Sequence, residues 1–258
     1  MFPADCRICQ ASLASVSRLP VCENCIRCIA PLPANVCRGC GDLLPVGFPS
    51  SENLCPECAF EAPSFERAVA YGAYTGGLRE LIHLLKYEQI RPAAGVLGRM
   101  LADAAKTLEL AGEVTVIPVP LHASKLKTRG FNQSELIARA AIPLLERGGE
   151  ARYTLEAVAM KRRRETPSQV GMTREQRAEN LRGAFAVTVP ARVRDRQVLL
   201  VDDVLTTGAT VNECTRVLRR AGAKRVWVAT VARAVRVADT YASAEHELRA
   251  PQAMVARA

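Results

Sequence analysis

No run of 18 apolar residues occurs in this chain of 258 residues, so no membrane-spanning helix is expected. The N-terminus, Met1-Phe2-Pro3-Ala4-Asp5-Cys6, lacks both the basic stretch and the apolar core of a secretion signal. A cytoplasmic location is therefore expected, and with it reduced cysteines. Aromatic residues are scarce, at 5%, which leaves few platforms on which unpaired bases could stack. Cysteine is nearly missing after Cys58: of the ten, only Cys214 lies beyond it. With 49% apolar and 24% charged residues, disorder and collagen-like repeats are excluded as well.

What is present falls into two unlike parts. In residues 1–62 Pro and Gly recur and apolar positions follow neither a 3.6 nor a 2 period, so no ordinary core is expected there, and no internal repeat is evident. From Phe65 onward, apolar runs such as Val114-Thr115-Val116-Ile117, Val198-Leu199-Leu200-Val201 and Val226-Trp227-Val228-Ala229 alternate with helical patterns over Leu97–Leu110, Ser134–Leu145 and Thr210–Ala221. That alternation predicts an α/β domain over 63–244, a mainly parallel sheet covered by helices on both faces. Residues 245–258 form a tail without a clear structural signal. Charge is divided too. The chain is +9 in total, but residues 1–62 are −2, and Arg152–Arg196 alone is +6. A solvated loop and helix is the ordinary reading of such a basic run, with anionic ligands as the alternative.

The pairs Cys6/Cys9, Cys22/Cys25, Cys37/Cys40 and Cys55/Cys58 are all C-x-x-C, with 12 residues between Cys9 and Cys22 and 14 between Cys40 and Cys55. This is the spacing of two zinc ribbons, each holding one structural Zn2+ on four thiolates. Gly41 suits a knuckle, because a residue tolerant of positive φ lets backbone N–H groups turn towards sulfur. A disulfide framework is opposed by the expected compartment, and redox catalysis by the lack of a strand, C-x-x-C, helix context. Cys28 also pairs in sequence with Cys25, so the ligand choice is not unique; Cys28 is taken as a spare thiol. Each zinc with four thiolates carries about −2, which together with the negative side chains argues against a phosphate-binding face on this module. Folding unit or docking surface is the expected role.

The most informative stretch is Val198-Leu199-Leu200-Val201-Asp202-Asp203-Val204-Leu205-Thr206-Thr207-Gly208-Ala209-Thr210. An apolar strand is expected to end in two carboxylates, after which a Thr/Gly turn opens a helix. Ligands bind at such strand ends in open α/β sheets, and a helix N-terminus offers free N–H groups to an anion. Asp202 and Asp203 can accept from vicinal sugar hydroxyls, while Thr206, Thr207, Gly208, Ala209 and Thr210 provide hydroxyls, amides and close backbone approach for a phosphate. A ribose 5-phosphate fits. A solvated turn or a magnesium-binding acid pair explains the aspartates but not the Thr-Thr-Gly-x-Thr that follows.

Two further segments are basic. Pro118-Val-Pro-Leu-His122 leads into Lys125, Lys127 and Arg129-Gly-Phe-Asn-Gln133; Lys161-Arg162-Arg163-Arg164 leads into Thr166-Pro-Ser-Gln169 and then Arg174, Arg177, Asn180 and Arg182. The 202–210 pattern resembles the phosphoribosyl pyrophosphate (PRPP) loop of type I phosphoribosyltransferases. With Tyr71-Gly-Ala-Tyr74, Leu81-Ile-His-Leu-Leu-Lys86-Tyr87, Asn180-Leu-Arg-Gly-Ala-Phe185 and the cysteine pairs, nearly the whole chain resembles the ComF family. The resemblance implies a type I phosphoribosyltransferase fold behind a double zinc ribbon, with PRPP on the 202–210 loop and Mg2+ mainly on the substrate's oxygens. It implies pyrophosphate or hood roles for His122, Lys125, Arg129, Lys161, Arg162, Arg163, Arg164 and Gln169. It also implies natural transformation, with single-stranded DNA and a translocating helicase as partners. Two functions stay open at this point: a phosphoribosyl transferase, or an adaptor that senses PRPP. Glutamine-dependent transfer is not expected, since Phe2 follows Met1 and no glutaminase segment precedes the motif. His83 and Lys86, on an apolar helical stretch, are left outside the expected site.

Overall fold

The computed structural model describes residues 5–13, 17–45, 47–48, 53–147, 149–165 and 174–235. Five strands, β1 (Ala68–Ala73), β2 (Gly112–Pro118), β3 (Ala151–Leu155), β6 (Gln197–Leu205) and β7 (Arg225–Arg233), form one sheet in the order β1-β7-β6-β2-β3, and every neighbouring pair is parallel. The three apolar runs lie inside β2, β6 and β7. Their side chains alternate between two cores, as a period of two requires. Leu199, Val201, Val116 and Ala229 join α3 (Gly76–Tyr87), α4 (Ala93–Lys106) and α6 (Gln133–Leu145) on one face. Val198, Leu200, Ile117 and Val228 join α8 (Ala209–Arg220) and the antiparallel pair of β4 (Met160–Arg162) and β5 (Phe185–Val187) on the other. The continuous apolar reading of β6 follows from burial on both sides, with Val198, Leu199 and Leu200 fully covered.

The helices match their patterns with one shift. α4 starts four residues before Leu97 and stops at Lys106, because Thr107 caps it and Glu109 takes a left-handed φ of 50°. Gly98 sits where α4 crosses α6: a Cβ there would lie 2.5 Å from that of Ala140. The basic 152–196 stretch is less a solvated loop than expected, since it contains β4, β5 and α7 (Arg174–Leu181).

Residues 5–62 correct two expectations. A repeat is present, carried by backbone rather than by side-chain identity. Antiparallel bridges Asp5 to Ser12 and Val36 to Leu43 open the two halves. Cys6 N donates to Ala11 O and Cys37 N to Asp42 O; Arg7 N donates to Pro20 O and Arg38 N to Asn53 O. Short helices α1 (Glu23–Arg27) and α2 (Pro56–Phe60) then start from Cys22 and Cys55 as N-caps. Gln10 (φ 62°) and Gly41 (φ 69°) hold the equivalent left-handed position. A core also exists, borrowed from the sheet domain: Cys6, Leu13, Leu19, Val21 and Ile29 are buried in the cluster that contains α3 and α4. These residues follow no period because they pack singly, between turns, against a surface elsewhere in the chain. Leu32 N donates to Tyr71 O at 2.6 Å and Ala68 N to Gly39 O at 2.8 Å, fastening both halves to β1.

Connections from the two central strands run opposite ways. From β2 the chain crosses over α6 to β3; from β6 it crosses over α8, on the other face, to β7. β2 and β6 are neighbours, so their C-terminal ends bound a crevice at a topological switch point.

Candidate functional site

The cysteine groups are the first candidate. Cys6, Cys9, Cys22 and Cys25, and separately Cys37, Cys40, Cys55 and Cys58, each bring four sulfurs within 4.8 Å of one another. Sulfurs lie 3.8 Å apart in the pairs Cys6/Cys25 and Cys9/Cys22, and 3.7 Å apart in Cys40/Cys55. A tetrahedral Zn2+ with Zn–S of about 2.3 Å puts sulfurs about 3.8 Å apart, whereas a disulfide needs about 2.05 Å. The donor set therefore fits zinc. Backbone amides support it: Cys22 N donates to Cys6 Sγ and Cys55 N to Cys37 Sγ, both at 3.3 Å. Hydrogen bonds from the Cys40 and Cys58 thiols pull Cys37 well below the usual thiol range, while the bonds that Cys58 makes to Cys37 and Cys40 push Cys58 well above it. Burial pushes Cys55 up to about 12. Four sulfurs so close can all ionise only around a cation. Cys28, exposed, stands outside both groups, as expected.

At the crevice, the strand does not end at the aspartates. β6 runs on to Leu205, which puts Asp202 and Asp203 on the strand itself, one turned to each side. Asp203 is 4% exposed. Its Oδ1 lies 2.8 Å from Lys86 Nζ, and its Oδ2 is buried without a hydrogen bond among the described residues. Asp202 Oδ1 accepts from Ser134 Oγ and from Asp203 N, both at 2.9 Å. Burial, followed by the charge of Asp203, raises the Asp202 carboxyl to about 7. Burial opposes the charge on Lys86, but Asp203 in contact and Asp202 nearby outweigh it and raise its pKa. Beyond the acids the chain turns through Thr206 and Thr207 to Gly208, at φ 81°, the N-cap of α8. The amides of Thr206, Thr207 and Gly208 donate to no backbone carbonyl among the described residues, and Thr207 Oγ1 is buried without a partner. Ala209 and Thr210 form the first turn of α8.

The expected cationic loop after β2 is a helix, α5 (Ala123–Arg129). His122 caps it, with Nδ1 2.9 Å from Ser124 Oγ, and Ser124 Oγ donates to Glu165 Oε1 at 2.8 Å, tying α5 to the end of β4. The helix forms because Lys125, Lys127 and Arg129 follow a capping His and end at Gly130 in the left-handed region. Burial and then the charges of Arg162 and Arg129 depress Lys125, which places all three cations in one field. Arg162, on β4, lies 5.4 Å over the Phe185 ring and feels Asp202. Arg129 donates to Gln133 Oε1 at 2.5 Å and lies 5.6 Å over the Tyr87 ring.

Other hood candidates are not brought to the acids. Arg164 donates to the carbonyls of Asn180 (2.8 Å) and Arg182 (3.2 Å), clamping the end of α7. Arg163 is exposed and its backbone pairs with Ala184 O; Lys161 is exposed on β4 beside Arg162, where alternation sends it to the opposite side. Gln169 lies outside the described residues. Three residues at or beneath the crevice were not expected there: Lys86, Ser134 and Arg233. Lys86 carried a signal, a lysine on the apolar Leu81–Leu85 helix that needs a buried anion; Ser134 carried none.

A family profile described as the phosphoribosyl transferase domain matches residues 135–249. DNA utilization protein YhgH of Salmonella typhi is 33% identical over 230 residues, covering 88% of this chain and 95% of its own length. Competence protein F of Haemophilus influenzae is 30% identical over 243 residues, covering 90% and 98%. Competence protein ComFC of Streptococcus pneumoniae is 31% identical over 117 residues, 44% of this chain and 46% of its own. No helix among the described residues is long and apolar enough to cross a membrane. Because the likeness to YhgH and competence protein F runs through nearly the full length of each, this chain belongs to the ComF family of proteins with a phosphoribosyltransferase domain.

Proposed function

We propose that the crevice binds Mg2+-bound PRPP, with the ribose diol on Asp202 and Asp203, the 5-phosphate in the 206–210 turn, and the pyrophosphate on α5 and Arg162. The observation that carries this reading is the pairing of opposite needs on one strand end. Asp203 Oδ2 is an acceptor without a donor, and a few residues on, Thr207 Oγ1 and the free amides of the turn are donors without an acceptor. A ligand with hydroxyls at one end and a phosphate at the other satisfies both. Lys86 and Ser134 hold the carboxylates in place, and the charge of Arg162 interacts with that of Asp202. Magnesium, when bound with PRPP, neutralises pyrophosphate charge. The cysteine module, 1–62, packs on the 63–244 domain and shares its core, and Zn2+ is its structural metal.

Calorimetry with Mg-PRPP tests the reading. Asp202→Asn together with Asp203→Asn removes two anionic acceptors and should weaken binding roughly ten-fold or more. Unchanged binding in the folded double variant would place the sugar elsewhere.

The name DNA utilization protein, borne by a relative, supports DNA as the second partner, and the ComF resemblance makes single-stranded DNA the form to test. On this chain the fitting surface is α5: Lys125, Lys127 and Arg129 beside Tyr87, 62% exposed and stacked under Arg129. Replacing Lys125, Lys127 and Arg129 by Gln should lower the salt slope of single-strand binding by about 0.7 for each DNA phosphate that is no longer neutralised. Equal slopes would move DNA off this face.

A further inference from the structure

Arg233, the last residue of β7, is 3% exposed and lies behind the 206–210 turn rather than in the crevice. Its guanidinium joins two distant segments. On one side Nη1 donates to the carbonyl of Leu205 at 3.0 Å and to the carbonyl of Thr206, the two residues that lead into the 206–210 turn. On the other, Nη2 lies 3.1 Å from Asp42 Oδ2. Asp42 belongs to the second cysteine knuckle: its carbonyl accepts from Cys37 N at 2.7 Å and its Oδ1 from Leu43 N at 3.1 Å. A small cavity between the second knuckle and the turn is lined by Cys40, Cys55, Leu205, Thr207, Gly208 and Arg233. Asn212, in the first turns of α8, ties the other flank by accepting from Ser64 N at 2.9 Å.

Trans peptide geometry gives this contact a consequence. In each planar unit the carbonyl and the following N–H point in opposite directions. Carbonyls of Leu205 and Thr206 held on Arg233 therefore direct the amides of Thr206 and Thr207 the other way, and those amides are among the donors without a backbone partner. A buried arginine bridging two carbonyls and a carboxylate is costly unless the carboxylate stays in place. The knuckle keeps it there. The first knuckle, otherwise equivalent, has Ala11 where the second has Asp42, and so has no side chain that could act in this way.

We infer that Asp42 and Arg233 are positioning residues for the phosphate turn, and that the second cysteine group is part of the ligand site while the first is not. This rests on the reading of the 206–210 turn as the 5-phosphate site. The chemistry to be probed is that of a sugar phosphate, and the probes are ribose 5-phosphate and, separately, inorganic pyrophosphate.

The experiment uses the full zinc-loaded chain, with Asp42→Asn as the first variant and Arg233→Lys, which keeps the charge but lacks the planar fork whose two nitrogens reach the turn and Asp42 separately, as the second. The expected result is a loss of about ten-fold in ribose 5-phosphate affinity, with pyrophosphate affinity and the zinc content unchanged. A general loosening of the fold moves both ligands, so equal losses for the two would overturn the assignment. So would wild-type affinity for ribose 5-phosphate in both variants while Asp202→Asn with Asp203→Asn still weakens it. If the wild-type chain binds no ribose 5-phosphate at all, the phosphate-turn reading fails and this inference falls with it.

Discussion

Asp202 shows how one carboxyl can be both a site and a cost to the fold. Burial beside Asp203 raises it to about 7, whereas in the unfolded chain it titrates near the ordinary value of about 3.9. The sign follows from linkage. Its contribution to stability is complete below the unfolded pKa and is lost as pH rises through about 7, because the fold must then hold an anion it prefers protonated. Asp202→Asn should therefore raise the melting temperature more at pH 8 than at pH 5, as followed by circular dichroism. A gain that is equal at the two values would show that Asp202 is not the titrating group. The same surroundings explain why Lys86 is only half legible in the sequence: a lysine on an apolar helix needs a buried anion, but only the fold shows that the anion is Asp203, 2.8 Å from its Nζ.

Among the elements, the second knuckle and the α4/α6 crossing depend on single glycines. Gly41 combines φ 69° with a Cβ position 2.9 Å from the Ala68 carbonyl. Gly41→Ala adds a left-handed penalty of roughly 1–2 kcal/mol to a clash with β1, so urea unfolding should show a loss of more than about 2 kcal/mol. Gln10→Gly, at the equivalent place in the first knuckle, should be neutral or stabilising in the same assay. Gly98→Val should also destabilise, by separating α4 from α6 at Ala140. The patterns of β2, β6, β7, α6 and α8 were readable because buried strands and amphipathic helices impose a period. α5 was not, because seven residues with three cations and a capping histidine read equally well as a loop.

For the molecule as a whole, the zinc module and the sheet domain should behave as one cooperative unit. Leu13, Leu19, Val21 and Ile29 are buried in one cluster with α3 and α4. Elemental analysis should find two zinc ions per chain, one for each four-sulfur group. Chelation should then lower the melting temperature of the entire chain in one transition, visible in the far-ultraviolet signal of the helices, rather than unfolding a separate module first. Residues 1–62 expressed alone should bind zinc more weakly than the full chain, because their apolar side chains lose the surface that covers them.

The two four-cysteine groups, the parallel sheet and the aspartate and threonine turn are legible in the sequence, since each is written as a local spacing: C-x-x-C pairs, alternating apolar runs, a strand leading through a glycine N-cap into a helix. What surrounds them comes from the fold. Lys86 and Ser134 reach the aspartates from distant helices, and Arg233 meets Asp42 from the opposite end of the chain. Contacts of that kind come from the strand order β1-β7-β6-β2-β3, which places residues side by side by sheet register and crossover handedness, and no local period records either.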